Sequence, residues 1–214
     1  MPPTSYGAAA KELAARSPVI AALVDEVGPP RLSAPHDSHF SALVRAIVYQ
    51  QLAGRAAAAI HGRLVASLEG EVTAERVLGR TPDELRAVGL SANKVASLLD
   101  LSAKTLDGSL PLASGQLTKL SDGDLVERLS AVRGIGVWTA EMFLLFQLRR
   151  MDVWPVTDLG VRRGYGLAFG VPMPTPRQLE PLGEPFRPYR SVAAWYCWRA
   201  CEVRAGAAPS AVTG

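Results

Sequence analysis

Apolar residues recur through most of the chain at intervals of three and four positions, which is the spacing of one face of an α-helix. Leu43 and Ile47 show this spacing in one segment, and Val95, Leu98 and Leu99 show it in another. No stretch alternates apolar and polar residues for long enough to predict a β-strand. We therefore predict an all-α protein. The predicted helices are residues 7–15, 18–27, 38–49, 54–68, 73–79, 82–88, 91–106, 122–131, 136–149, 158–169, 176–182 and 188–203.

Prolines and capping residues separate these helices. A threonine such as Thr81, followed by proline and by a glutamate three positions on, is typical of a helix start. Two proline-rich joints, "VGPPRLSAPHDSH" and "FGVPMPTP", divide a central block from the two ends of the chain. The predicted division is a terminal lobe of residues 1–39 and 153–214 and a central lobe of residues 40–152.

Composition narrows the class of protein. The chain is 48% hydrophobic and 20% charged, a globular mixture, and its net charge of +3 permits a polyanionic partner without requiring one. No apolar run reaches the roughly 18 residues of a membrane span, and the first residues lack the apolar core of a secretory signal. We therefore predict a cytoplasmic protein with no membrane association. Cys197 and Cys201 indicate two reduced thiols, since an iron–sulfur cluster needs about four cysteine ligands.

A short turn, "RGIG" at residues 133–136, joins two of the predicted helices. Gly134 and Gly136 can adopt positive φ angles, and without a Cβ they let another molecule approach the backbone. The amides of Gly136, Val137 and Trp138 then point outward from the start of the next helix, which is a ready anion site. An ordinary glycine cap with a tight link explains the same letters, so the turn alone leaves both interpretations open.

Asp158 stands before another predicted helix, in "WPVTDLGVRRG". Taken alone, it is better explained as the N-cap of the helix that starts at Leu159. A capped carboxylate is also held rigidly, so the same residue can serve catalysis. Asp152 lies six residues earlier, across a proline, and nothing suggests that the two form an acid–base pair. A single catalytic carboxylate suits a reaction whose leaving group is already activated.

The order of several motifs is more specific than any one of them. "VRGIGVWTA" followed by "DVWPVTDLGVRR" resembles the helix-hairpin-helix (HhH-GPD) DNA glycosylase superfamily. "ALVRAIVYQQLAGRAAAAIHGRL" and "VGLSANKVASLLDLSAKTLDG" are similar to two further segments of that family, and "RPYRSVAAWYCWRA" is similar to the closing helix of its 3-methyladenine DNA glycosylase II branch. The resemblance is to the compact form of this branch, without an N-terminal β domain.

This resemblance implies an all-α fold of two helical lobes with an active-site cleft between them. It implies an enzyme of base excision repair that acts as a monomer on double-stranded damaged DNA. Such an enzyme flips out an alkylated purine, for example 3-methyladenine or 7-methylguanine, and hydrolyses its bond to the sugar. No cofactor is required. In the family a monovalent cation can bridge the hairpin to a phosphate, and by position its ligands would be the carbonyls of Ser130, Val132 and Ile135.

The resemblance also assigns the reacting groups. Asp158 takes the position of the essential aspartate. Trp138 takes the position at which strand-cutting relatives carry a nucleophilic lysine, so the chain is predicted to remove the base and leave the strand intact. Trp138, Trp198, Tyr196 and Met142 match positions that line the base pocket. Core packing is the alternative for each aromatic residue.

The same matching assigns contacts to DNA. Gln51, in "YQQLAG", takes the position of the wedge that fills the gap left by the flipped base, and Gln50 braces that loop. The alternative is that both amides only satisfy loop backbone groups. The predicted contacts to the DNA backbone are Gly134, Gly136, Val137, Arg133, Arg162, Arg163 and Lys94, although a lone lysine on a helix is usually just solvated.

Two departures from the family pattern put the range of bases in doubt. Met142 stands where the branch often has a second pocket tyrosine, and Thr157 replaces an acid before the aspartate. Two other functions therefore stay open at this point. One is a glycosylase for deaminated or oxidised bases, and the other is a DNA-binding module without catalysis in which Asp158 is only a helix cap. Localisation is predicted to be cytoplasmic, at the nucleoid if the source is bacterial.

Overall fold

A computed structural model of the chain describes residues 5–204, which form thirteen α-helices and no β-strand. The helices are α1 (Tyr6–Arg16), α2 (Pro18–Val27), α3 (His39–Tyr49), α4 (Gly54–Ser67), α5 (Ala74–Leu78), α6 (Pro82–Ala87), α7 (Ala92–Leu106), α8 (Ser114–Leu117), α9 (Asp122–Ser130), α10 (Val137–Met142), α11 (Leu159–Phe169), α12 (Pro176–Leu182) and α13 (Arg190–Arg204). A π-helical turn, Phe143–Gln147, continues α10, and a 3-10 turn, Glu184–Phe186, precedes α13. The predicted all-α class is confirmed.

Capping side chains explain why most of these helices begin where they do. In three capping boxes the first residue bonds the N3 amide and the N3 side chain returns to the cap. The pairs are Thr81 with Glu84, Ser121 with Asp124, and Thr175 with Gln178. Because these signals are local in sequence, the predicted starts of α6, α9 and α12 are confirmed.

The structure differs from the predicted helices at two places. The helix predicted over residues 136–149 is α10 followed by the π-helical turn, in which the Leu148 amide donates to the Phe143 carbonyl. An apolar period cannot distinguish one widened turn from a regular helix. Helix α8 is not among the predicted helices, because a single turn is too short to show a period.

The chain separates into two compact units. The terminal unit comprises residues 1–33 and 149–214, of which 5–33 and 149–204 are described, and the central unit comprises residues 34–148. The predicted boundaries lie a few residues further along the chain at both crossings.

In the terminal unit, α13 packs against α11, α1 and α2 around buried Leu13, Leu23 and Val161. In the central unit, α3 packs against α4 and α7 around buried Leu43 and Leu98. These apolar positions supply the hydrophobic free energy that offsets the ordering of many short helices. None of the helices between residues 5 and 204 is long and apolar enough to cross a membrane. Both cysteines are free thiols.

Candidate functional site

Asp158 is the N-cap of α11 and lies in the terminal unit. Its Oδ1 accepts a hydrogen bond of 2.7 Å from the Val161 amide and one of 2.9 Å from the indole Nε1–H of Trp198. The residue is only 9% exposed. The predicted cap is therefore confirmed, and a second donor holds the same oxygen. A carboxylate fixed by two N–H groups stays in place while charge develops nearby.

Two glycines bring Trp198 to this carboxylate. A Cβ on Gly160 would lie 2.7 Å from Cδ1 of Trp198, and a Cβ on Gly164 would overlap the backbone carbonyl of Cys197. Helices α11 and α13 can touch along this face only because both positions lack a side chain. The Cys201 thiol adds a hydrogen bond of 3.4 Å to the Gly160 carbonyl. Sequence reasoning missed this packing, although two glycines four residues apart are a visible signal for it.

The segment that precedes Asp158 is anchored at Asp152 and at Trp154. The guanidinium of Arg190 pairs with the Asp152 carboxylate at 2.8 Å and donates to the Asp152 carbonyl at 2.8 Å. Trp154 is buried, and its Nε1–H donates to the Leu179 carbonyl at 3.0 Å. Asp152 is thus engaged in a structural ion pair, in agreement with the expectation that it forms no acid–base pair with Asp158.

A cavity of about 740 Å³ lies in the central unit, and its walls are mainly aromatic and apolar. They come from α3, from α10 and from the π-helical turn. The lining residues include Tyr49, Gln50, Gln51, Trp138, Met142 and Phe146. Trp138 is 47% exposed, so its ring is available to a ligand and is not packed inside the core. Turns of this π-helical kind are frequent at functional sites.

The structure places the four predicted pocket residues differently. Trp138 and Met142 line the cavity, whereas Trp198 contacts Asp158 in the terminal unit. Tyr196 is fully buried in the core of that unit, and its hydroxyl donates to the Gly28 carbonyl at 3.1 Å. Burial raises the pKa of Tyr196 to about 12. The predicted base contact of Tyr196 is therefore corrected. Tyr196 and Trp198 are two residues apart on α13, and this spacing directs their side chains to opposite faces of the helix.

The hairpin at residues 133–136 belongs to the central unit. Gly134 has φ +78°, and a Cβ there would overlap the hydroxyl of Ser97. Gly136 has φ −93°, so it does not adopt the positive φ angle that a glycine allows at this position. Gly136 is the N-cap of α10 without a side-chain cap, and no atom lies within 4 Å of a Cβ built there. Another molecule can therefore approach the backbone at Gly136.

The loop between α3 and α4 is tied to this hairpin. The side-chain Nε2–H of Gln50 donates to the Gly134 carbonyl at 2.9 Å. Gln51 is exposed and has φ +57°. Lys94 donates to the carbonyls of Val48 at 2.6 Å and Gln50 at 2.9 Å. The Lys94 ammonium thus binds backbone carbonyls of the protein itself. The predicted contact of Lys94 with a DNA phosphate and the alternative of a solvated lysine are both corrected.

The three predicted arginines also differ in their surroundings. Arg162 is half-buried, and its Nε–H donates to the Pro174 carbonyl at 2.8 Å. Arg133 is exposed and donates to the Asn93 side chain at 3.3 Å, while its backbone amide donates to Asp100 at 2.7 Å. Arg163 is exposed. The guanidiniums of Arg133 and Arg163 are thus better placed for a phosphate than that of Arg162.

The predicted cation ligands lie at the end of α9 and in the hairpin. The Val132 carbonyl accepts the Ile135 amide at 3.1 Å, and a carbonyl oxygen has a second lone pair for a ligand. Among residues 5–204, no three histidine, cysteine, aspartate or glutamate side chains are grouped so that they could hold a metal ion.

The chain is similar to a family model, to a named relative and to solved structures. A family model described as "HhH-GPD superfamily base excision DNA repair protein" matches residues 44–188. DNA-3-methyladenine glycosylase 1 of Schizosaccharomyces pombe is 37% identical over 173 residues, which cover 79% of this chain and 75% of that protein.

Two solved structures resemble the fold over most of their length. The S. pombe 3-methyladenine DNA glycosylase Mag1, in complex with abasic DNA, matches with a TM-score of 0.77 at 35% identity, over 91% of this chain and 96% of that chain. A DNA-3-methyladenine glycosidase from Bacillus halodurans matches with a TM-score of 0.86 at 30% identity, over 94% of this chain and 93% of that chain.

Proposed function

The chain belongs to the HhH-GPD superfamily of base excision DNA repair proteins, and we propose that it is a DNA glycosylase that removes alkylated purines from double-stranded DNA. A DNA-3-methyladenine glycosylase and a DNA-3-methyladenine glycosidase are similar to it along most of their length. The observation that carries the choice of base is the aromatic-walled cavity beside the hairpin, with Trp138 half-exposed on its wall.

The cavity suits the chemistry of an alkylated purine. An N3- or N7-alkylated purine carries a positive charge, and the electron-rich face of an aromatic ring attracts a cation by about 0.5–2 kcal/mol. Trp138 supplies such a face and Phe146 lines the same cavity, whereas the Tyr49 ring already holds the Arg45 guanidinium 4.7 Å from its centroid. A neutral base gains stacking but not this electrostatic attraction. The cavity therefore favours the damaged base over its normal counterpart.

Asp158 has the complementary role at the sugar. When the bond between C1′ and the base nitrogen breaks, its electron pair leaves with the base and neutralises the cation. Positive charge then develops on the deoxyribose, where a fixed carboxylate stabilises it. A water molecule adds to C1′ and loses a proton, which yields the abasic sugar. Because the departing base needs no protonation, one carboxylate is sufficient for this hydrolysis.

We infer that the enzyme does not cut the strand. A lyase of this family forms a Schiff base through a lysine, and the side chain at that position is the indole of Trp138, which has no nucleophilic amine. The product is therefore an abasic site in an intact strand, as expected of the type II branch. The hairpin, the start of α10, Arg133 and Arg163 bind the DNA backbone in this proposal.

The central test is release of bases from defined damage. Methylated DNA incubated with the protein is expected to release 3-methyladenine and 7-methylguanine, detected by chromatography. The strand is expected to stay intact until alkali is added, and borohydride is expected to trap no covalent complex. Release from deaminated or oxidised DNA alone would favour a glycosylase for another lesion. Binding of DNA without any release would favour the non-catalytic module.

Trp138 offers a sharper test of the cavity. Trp138→Leu is expected to lower the rate of 7-methylguanine excision by roughly 2- to 30-fold more than the rate for neutral hypoxanthine, because only the charged base loses a cation–π contact. Single-turnover rates on the two lesions give this ratio. Trp195→Leu is the matched control, since Trp195 is a half-buried tryptophan of α13 beside Arg199. An unchanged ratio for Trp138→Leu would show that the indole only packs.

Three further features complete the proposal. The protein acts as a monomer, which light scattering of the free protein checks. It works in the cytoplasm, at the nucleoid if the source is bacterial. The Ser130, Val132 and Ile135 carbonyls would hold a monovalent cation, which would add one positive charge for a phosphate; no catalytic step depends on it.

A further inference from the structure

We propose that Lys94 is a positioning residue for base extrusion, which acts by fixing the loop that carries Gln51. The name wedge loop is used here for residues 50–53, between α3 and α4. The inference rests on the proposed function, because it gives the wedge loop a task that only a base-flipping enzyme has. Lys94 itself does not touch DNA in this proposal.

The wedge loop begins at the end of α3, where the last carbonyl groups have no partner within the helix. Helix α3 ends at Tyr49, and Gln51 turns the chain with φ +57°, which an L residue adopts only when neighbouring contacts support it. The last carbonyls of a helix need donors from elsewhere. Lys94 supplies two N–H groups, one to Val48 inside the last turn and one to Gln50 inside the loop. One ammonium therefore joins the helix end to the loop.

The position of Lys94 on α7 makes this link rigid. Its backbone amide is bonded by the N-cap Ser91, so the stem of the side chain starts from a fixed point. A cation at the C-terminus of α3 also meets the negative end of that helix. Partial burial removes water from the Lys94 ammonium and so lowers the pKa of Lys94.

The same helix also holds the hairpin. Ser97 packs against Gly134, and the Asp100 carboxylate accepts the Arg133 amide at 2.7 Å. Positions 94, 97 and 100 are three residues apart, so they share one face of α7. The Gln50 side chain then closes the arrangement with its bond to the Gly134 carbonyl. The wedge loop and the hairpin are thus fixed to one helix and to each other.

The attachment of the wedge loop to α7 and to the hairpin matters most for extrusion of the base. Extruding a base costs unpairing and unstacking, and the wedge must enter the gap while the backbone is gripped. A loose loop would enter the gap more rarely, although chemistry on a base already extruded would be unaffected. The cost of extrusion is least for a base without a pairing partner. Loss of Lys94 is therefore expected to slow excision selectively when the damaged base is paired.

The experiment compares Lys94→Met with the wild type on two duplexes. Both contain one 7-methylguanine, placed opposite cytosine in one duplex and opposite an abasic-site analogue in the other. Single-turnover excision by Lys94→Met is expected to fall about tenfold for the paired lesion and less than about twofold for the unpaired one. Binding to abasic product DNA and the melting temperature are measured beside the rates. Lys119→Met, at an exposed lysine of the central unit, is the control that should match the wild type on both duplexes.

Two other results of this comparison would contradict the proposal. An equal fall on both duplexes would reduce Lys94 to a purely structural role, and no fall would show that the loop is held without it. If Lys94→Met does not fold, Gln50→Met cuts the other link and must show the same selective loss. Lys94→Arg, which keeps a cationic donor, is expected to restore at least half of the paired rate. Failure of the wild type to excise either lesion would instead overturn the proposed function.

Discussion

Replacing Asp158 with asparagine is expected to lower the single-turnover rate of base excision by about two to three orders of magnitude. Asparagine keeps an oxygen for the Val161 amide and the Trp198 indole, so the local geometry should survive. What disappears is the negative charge that stabilises the developing sugar cation. Asparagine and aspartate are about equally good N-caps, so the free energy of unfolding should change by less than about 1 kcal/mol. Denaturant unfolding and excision of 7-methylguanine measure the two quantities on the same sample.

A capping residue of the central unit provides the matched control. Thr81 accepts the Glu84 amide and anchors a capping box at the start of α6. Thr81→Ala is expected to cost about 1 kcal/mol of stability and to leave excision unchanged. Asp158→Asn should therefore lower activity with little effect on stability, and Thr81→Ala should lower stability with little effect on activity. If Asp158→Asn kept full activity, Asp158 would be a cap alone and the proposed mechanism would be wrong.

The features that could be predicted from the sequence are those that neighbouring residues determine. The cap at Asp158 depends on an amide three positions away, and the turn at Gly134 depends on its own φ angle. Helix periods and capping boxes are equally local. For this reason the all-α class, most helix bounds and the hairpin could be predicted from the sequence alone.

The features that could not be predicted depend on residues far apart in the chain. The indole of Trp198 reaches Asp158 across 40 positions, and Lys94 reaches Val48 across 46. No local pattern encodes which of several lysines caps a distant helix. Tyr196 shows the converse error, because a motif match identifies a helix but does not decide which of its faces meets the core.

Gly164→Ala is expected to have the largest effect on stability, with a loss of about 2–3 kcal/mol in the free energy of unfolding. A methyl group at this position overlaps the Cys197 carbonyl, and two backbones cannot yield as a flexible side chain can. Helix α13 must move away from α11, which buried Val161 and Val192 oppose. The displacement also carries Trp198 away from Asp158. Excision is therefore expected to fall by about one to two orders of magnitude as well.

Gly62→Ala shows what the same substitution does without a neighbour. Gly62 lies within α4, and no atom is found within 4 Å of a Cβ built there. Alanine should stabilise that helix by about 0.5–1 kcal/mol, because glycine loses more conformational freedom on folding. Urea unfolding measures both variants. The same change from glycine to alanine is expected to raise the free energy of unfolding at position 62 and to lower it at position 164. Should Gly164→Ala prove as stable as the wild type, α11 and α13 would tolerate a wider spacing, and close packing could no longer explain how Trp198 is held on Asp158.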